Sequence, residues 1–217
     1  MHPLYKEFLK NLENDDKKAC IDLVLDNVRS GKIDIPTLYA EVLTPSLKNM
    51  EFSKEDAGIV VWKEHIRSSI VRTIIESCYP YVLEQRKGHG NGKVVVLCPI
   101  EEYHEIGARM VADYFTLLGF EVTFVGANTP LDDVVAGIRH EKPKYVAISV
   151  SNFYNLVAAK RAVETIAKSR KENGDKFKIL VGGGAFKKNP TLAKDMSADK
   201  LLQTYDDLAK LVKGGGK

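Results

Sequence analysis

Several common signatures are missing from this 217-residue chain. No G-x-G-x-x-G run follows its first apolar strand, where the sequence reads PIEEYHEIG, and no phosphate-binding loop occurs. This argues against a nicotinamide enzyme and against a P-loop nucleotidase. Cysteine is scarce: Cys20, Cys78 and Cys98 stand at spacings unlike any zinc or disulfide framework. The first two fall in helical patterns and the third in an apolar strand, which predicts buried, reduced thiols suited to a cytosol. Long apolar runs are absent too. The longest, KVVVLCPI, cannot span a bilayer, and the N-terminus MHPLYKEFLKNLEND is too charged for a signal peptide. Nor is there an excess of one charge. With 32 basic and 29 acidic residues the balance is too even for a nucleic-acid binder working by phosphate contacts. Basic residues are dispersed, except at Lys187–Lys188 and in the tail ending KGGGK; these read as solvated surface and a flexible end.

What is present supports a packed core, since 44% of residues are hydrophobic. The chain has two parts with different periodicities. Residues 1–85 read as helix throughout: Leu4 to Leu12; a second helix from Asp15–Asp16 carrying Cys20, Ile21, Val24, Leu25 and Val28; a third from Ile35–Pro36 to Leu43, with Pro45 just past its end; and a long fourth from Ser53 to Leu83. Ser53 followed by Asp56 resembles a capping pair. Four helices in this length predict a small bundle. Residues 86–92, RKGHGNG, read as a flexible linker, with His89 a solvated loop residue.

From Lys93 to the end, strand and helix alternate. KVVVLCP, GFEVTFVG, YVAISVS and KFKILVGGGAF read as strands. The segment from Ile106 to Leu118, PLDDVVAGIRHEK, NLVAAKRAVETIAKSRKENG and TYDDLAKLVKG read as helices. This predicts an α/β domain over 93–217, with a Rossmann-like (flavodoxin-like) parallel sheet, helices on both faces and right-handed crossovers. Ligands of such sheets bind beyond the carboxyl ends of the strands. His104, Ser149–Ser151 and Gly182–Gly184 all lie at or just after strand ends and are expected to converge there. The glycines alone would also suit a plain tight turn.

His104 carries the most chemistry. An imidazole at a strand's carboxyl end can ligate a metal through one nitrogen and hydrogen-bond through the other. Glu102, or alternatively Glu101, is placed to take that second bond and fix the tautomer. No second His or Cys lies at metal-site spacing, so a protein-only zinc site is not expected. One protein ligand suffices only where a cofactor supplies the others, as a macrocycle does at its four equatorial positions.

These residues also carry a resemblance. Glu102-Tyr103-His104-Glu105-Ile106-Gly107 resembles the D/E-x-H-x-x-G signature of cobalamin (vitamin B12)-binding domains. Ser149–Ser151 and Gly182–Gly184 match the later S-x-[LTS] and G-G elements in order and spacing. Residues 1–85 look like the helical cap that precedes this domain in methionine synthase, in corrinoid methyltransfer proteins and in CarH- and LitR-type photoreceptors. The resemblance implies a cobalt-containing cofactor, adenosylcobalamin or methylcobalamin, with His104 as lower axial metal ligand. It also implies a groove for the nucleotide tail: Gly107 lets the tail approach the backbone, Ser149 and Ser151 bond the displaced base or its phosphate linkage, and Gly182 and Gly183 flank it.

Three jobs are open to such a protein. A radical mutase needs a substrate barrel, for which this chain has no sequence. A methyl carrier of the corrinoid family usually reads D-x-H-D-I-G-K-N, where this chain has E-x-H-E-I-G-A-R-M. A cobalamin sensor of the photoreceptor type is closer, with glutamate in the first motif position and GANTP after the second strand. Glu64-His65 resembles the Glu-His pair of the photoreceptor cap, near the upper cobalt ligand. Val61, Glu64, His65 and Ser68 share a helical face. The family's tryptophan, ten residues before that pair, is Lys54 here, with Phe52 and Trp62 nearby. The residues given ahead of the bundle carry no helix-turn-helix pattern, so no DNA-binding domain is expected from this sequence. The expectation is therefore a cytoplasmic, non-catalytic cobalamin sensor, with light at the Co–C bond as a candidate signal, that signals through a protein partner or self-association. A corrinoid methyl carrier serving methyltransferases is the alternative.

Overall fold

The computed structural model describes residues 2–187 and 190–214; Lys188 of the basic pair and residues 215–217 of the tail lie outside the described residues. The chain divides into two compact units, Met1–Gln85 and Arg86–Lys217.

The first unit is helical. α1 (Leu4–Glu13) turns through Asp15, at φ 55, into α2 (Lys17–Arg29), where the Asp16 carboxylate accepts a bond from the Ala19 N–H at 2.9 Å. α3 (Ile35–Leu38) starts similarly, with Asp34 accepting from Thr37 N at 2.8 Å and Pro36 in the first turn. The expected stop before Pro45 is not observed. The chain runs on through a π turn, Tyr39–Leu43, into α4 (Thr44–Lys48). Proline has no N–H to donate and its ring crowds the carbonyl one turn back; the wider turn accommodates both. Ser53 caps only a 3-10 turn, Lys54–Asp56, its N–H donating to Asp56 Oδ2 at 2.9 Å. The long helix α5 (Val60–Glu84) begins later, after Gly58, a residue of low helical propensity.

Phe8, Leu12, Cys20, Val24, Leu38, Tyr39, Ile74 and Cys78 are fully buried in this unit. Removing each aliphatic or aromatic side chain from water contributes about 1.5–3 kcal/mol. Arg67 is buried among them. It reaches Asp15 and donates to the carbonyls of Glu13 at 3.1 Å and Glu51 at 3.0 Å, with its guanidinium over the Phe52 ring. One side chain thus ties the α1–α2 turn and the 51–52 segment to α5.

The second unit alternates β1 (Lys93–Leu97), α6 (Ile106–Leu117), β2 (Glu121–Gly126), α7 (Leu131–Glu141), β3 (Tyr145–Ser149), α8 (Leu156–Asn173), β4 (Lys178–Gly182), α9 (Leu192–Asp195), β5 (Lys200–Leu202) and α10 (Tyr205–Gly214). Among the described residues the sheet has five strands, all parallel, in the order β2-β1-β3-β4-β5. This is the expected flavodoxin-like arrangement. β5 and α9 go beyond the four strands and four helices predicted: three residues, KLL, carry no readable period, and β5 forms because β4 offers it an edge. β3 is buried along its whole length, as a central parallel strand must be. Val94, Val96, Tyr145 and Leu180 face α6 and α10. Val95, Val146, Ile148 and Ile179 face α7 and α8.

The strand order reverses between β1 and β3, because β2 lies on one side of β1 and β3 on the other. The loops leaving the carboxyl ends of these two strands therefore diverge and leave a crevice between them. Glu102 and His104 are in the first loop, and Ser151 to Asn155 in the second.

Candidate cofactor site

Two turns shape the first loop. Glu102 N–H bonds back to the Pro99 carbonyl at 3.1 Å, and Glu101 takes a left-handed φ of 69. A non-glycine residue there costs about 1–2 kcal/mol of backbone strain. The bend leaves neighbouring side chains in opposite environments: Glu102 is 0% exposed, whereas the His104 side chain is 59% exposed.

The buried carboxylate holds the exposed ring. Glu102 Oε1 lies 2.6 Å from His104 Nδ1 and accepts the His104 backbone N–H at 3.0 Å. Its other oxygen accepts the backbone N–H groups of Ser151 and Asn152, both at 2.9 Å. Burial alone would raise the Glu102 pKa. The Asn152 N–H, the Asn155 side chain and the His104 donors outweigh it and bring the carboxyl below its ordinary value. An ionised carboxylate only accepts, so in the neutral imidazole Nδ1 must carry the proton. Nε2 then presents a lone pair outward, and it has no hydrogen-bond partner among the described residues. Of the two carboxylates considered from the sequence, Glu102 is the one against the ring.

The other expected residues separate by role. Ser151 supports the loop: its hydroxyl donates to the His104 carbonyl at 3.2 Å. Ser149 is buried at the end of β3, and its hydroxyl has no partner among the described residues. A Cβ added at Gly107 would meet only that hydroxyl, at 3.9 Å. Gly107 and Ser149 thus border open space with an unused hydrogen-bonding group. Gly182 and Gly183 answer a different demand. A Cβ at Gly182 would lie 2.4 Å from the Leu202 carbonyl oxygen, and at Gly183, where φ is 107, 2.3 Å from that of Val150. The backbone closes too tightly there for any other residue. Glu64 and His65 belong to the helical unit, exposed in the first two turns of α5 beside exposed Val61 and Trp62.

Asn152 and Asn155 were not singled out from the sequence. They support Glu102, and Asn155 also donates to the Glu101 carbonyl at 3.4 Å. An exposed apolar rim was missed as well: Ile100 and Tyr103 in one loop, Phe153 and Tyr154 in the other. Their exposure beside a polar site could have been guessed only with both loops in view. Just before the site, burial pushes the Cys98 thiol up to about 12, which disfavours the thiolate.

These groups fit a corrinoid. The ring offers a tautomer-fixed nitrogen donor facing outward, with open space and an unused hydroxyl at Gly107 and Ser149 and exposed apolar side chains in both loops. Among the described residues no cluster of three His, Cys, Asp or Glu could hold a metal ion without such a cofactor.

Comparison with known proteins points the same way. A transcriptional repressor of Myxococcus xanthus, CarH, is 28% identical over 193 residues, covering 87% of this chain and 60% of its own length. A corrinoid protein of Desulfitobacterium hafniense is 26% identical over 125 residues, 58% of this chain and 56% of its own. The chain therefore spans somewhat over half the length of these relatives. The monomethylamine corrinoid protein of Methanosarcina barkeri superposes with a TM-score of 0.81 over 98% of both chains at 16% identity, which establishes a shared fold, helical unit included. Residues 92–210 match the B12 binding domain family, more than half of the chain. The chain belongs to the B12-binding domain family.

Proposed function

We propose that this protein is a cobalamin-binding sensor in which His104 is the lower axial ligand of cobalt. The observation that carries the reading is the Glu102–His104 pair, with its buried carboxylate, short contact to Nδ1 and outward-facing Nε2. When bound, cobalamin supplies a cobalt centre with an exchangeable upper ligand. The chain's own residues do the rest. Glu102 keeps the proton on Nδ1, and the Ser151 and Asn152 N–H groups keep Glu102 in place. Ser149 and Gly107 receive the nucleotide tail, Gly182 and Gly183 hold the floor beside it, and Glu64 and His65 are the helical unit's contribution toward the upper ligand.

The sensor reading is favoured by the alignment with CarH. Its 193 residues exceed the 119 of the family match, so the likeness continues into the helical unit. Signalling would pass through a partner protein or self-association. Methyl transport between methyltransferases is the second reading, favoured by the corrinoid protein relative. The test is an absorbance spectrum with adenosylcobalamin in the dark and again after green illumination, for wild type and His104→Ala. A histidine-ligated spectrum that converts to a lasting new form supports the sensor. Photolysis no faster than that of the free cofactor, with the Co(I) form accepting a methyl group from a partner methyltransferase, supports the carrier. An unchanged spectrum in His104→Ala overturns the ligand assignment.

A further inference from the structure

Residues 86–92 read as a flexible linker by composition, and within them Arg86, Lys87 and Asn91 bond to the end of α6. The Lys87 N–H donates to the Leu117 carbonyl at 2.7 Å and the Asn91 N–H to that of Gly119 at 3.3 Å. Asn91 Nδ2 donates to the Leu118 carbonyl at 2.6 Å, and Arg86 Nη2 to the carbonyls of Gly119 and Phe120, each at 3.2 Å. The acceptors are the last carbonyls of the helix and its following turn, some of which have no partner within the helix. Gly119, at φ 88, makes the approach possible: a Cβ there would lie 2.9 Å from the Lys87 carbonyl oxygen and 3.0 Å from Asn91 Nδ2. The segment leading out of the helical unit is therefore the C-terminal cap of α6.

The other end of α6 is the cofactor loop. Glu105 is its N-cap residue, directly after His104, and pairs with Arg109 one turn in. Between the two ends are 12 residues, about 18 Å at the helical rise. Ala108, Ala112 and Phe115 bury this stretch against the sheet, which makes it a single packed element between the loop and the segment. The grip is incomplete, because Arg86 Nε is buried without a partner among the described residues. An unsatisfied buried donor costs free energy.

We propose that segment 86–91 is a latch coupled to cobalamin loading through α6. Fixing the His104 ring orders the loop at the helix's first turn, and the ordered helix offers its last carbonyls to the latch in one arrangement instead of several. The proposal rests on His104 being the cobalt ligand, and it supplies a route by which the site reaches the segment joining the two units. By linkage, whatever factor cobalamin adds to latch closure, latch closure adds to cobalamin affinity.

The test is amide hydrogen exchange of the full chain with and without adenosylcobalamin in the dark, read on the peptide covering residues 86–92, with the absorbance spectrum recorded on the same samples. Loading should slow exchange of the Lys87 and Asn91 amides by about tenfold, within the usual range of such couplings. Asn91→Ala, at an exposed position, should speed exchange and weaken adenosylcobalamin binding by a matching factor. Gly119→Ala should do the same by a steric route. A histidine-ligated spectrum with unchanged exchange overturns the coupling alone, as does faster exchange in Asn91→Ala with unaltered affinity. Absence of a histidine-ligated spectrum in the wild type overturns the ligand assignment and the latch coupling with it.

Discussion

Glu102→Gln isolates what the buried carboxylate does, because it removes charge without changing size. In the native site both oxygens accept: one from the His104 backbone and ring, the other from Ser151 and Asn152 N–H. A glutamine offers one accepting oxygen and one donating amide. The oxygen is best placed toward the two backbone N–H groups, which have no other acceptor among the described residues. The amide must then face His104, where it opposes the backbone N–H and makes ring Nδ1 an acceptor. The imidazole proton moves to Nε2, and the outward lone pair is lost. The leftover donor–donor conflict should cost about 1–3 kcal/mol of stability. Loss of a partner to a ligating histidine typically weakens metal affinity by about 10–100-fold. The first assay needs no cofactor: long-range proton–nitrogen NMR of the histidine rings should show the Nδ1–H tautomer for wild type and Nε2–H for Glu102→Gln. Cobalamin titration by absorbance then measures the fall in affinity. A variant that keeps the Nδ1–H tautomer, or binds cobalamin as the wild type does, would refute the claim that Glu102 sets the state of His104.

Three further outcomes follow from other parts of the structure. Gly183→Ala places a methyl 2.3 Å from the Val150 carbonyl oxygen at a φ of 107, and should lower stability by about 1–3 kcal/mol from backbone strain alone, seen as a drop in thermal midpoint; an unchanged midpoint would mean the strand ends are not closed as described. Arg67→Ala removes the buried guanidinium bound to Asp15, Glu13 and Glu51 and should destabilise by about 3–5 kcal/mol, measured by urea unfolding. Because the folded pKa of Glu102 is depressed, its stabilisation is complete above the ordinary carboxylate range and is lost as pH falls through the lower folded value. Thermal melts across that acid range should show this loss in wild type and a shallower slope in Glu102→Gln.

The parts of the fold that could be read in the sequence are those with strong local signals. β1 and β3 are valine- and isoleucine-rich runs, and α8 carries a clear helical stripe. β5 could not be read, because three residues become a strand only through the edge that β4 presents. Pro45 reads as a stop, but a π turn, invisible to periodicity, lets the helix continue. His104 could be read because imidazole chemistry is rare and its position after a strand is informative. Asn152 and Asn155 could not, since asparagines in a loop read as turn formers, and their service to Glu102 arises only when the topology brings two distant loops together.

The separate elements of the motif answer to separate physical demands. Glu102 and His104 form a chemical pair, and neither is required for the sheet to close. Gly182 and Gly183 are required for the sheet to close, with or without a ligand, because Leu202 and Val150 occupy the space a side chain would need. Gly107 is the reverse case: protein atoms leave room for a side chain there, so on the proposed reading only the bound nucleotide tail would need a glycine at this position. Replacing it with alanine should therefore leave thermal stability nearly unchanged, or slightly raised by the gain in helix propensity of up to about 1 kcal/mol, while weakening cobalamin binding. Gly183→Ala should do the opposite, lowering the thermal midpoint through a clash that the chain itself supplies. If Gly107→Ala kept full affinity, the groove beside Ser149 would not be the path of the nucleotide tail, and the unused Ser149 hydroxyl would need another explanation.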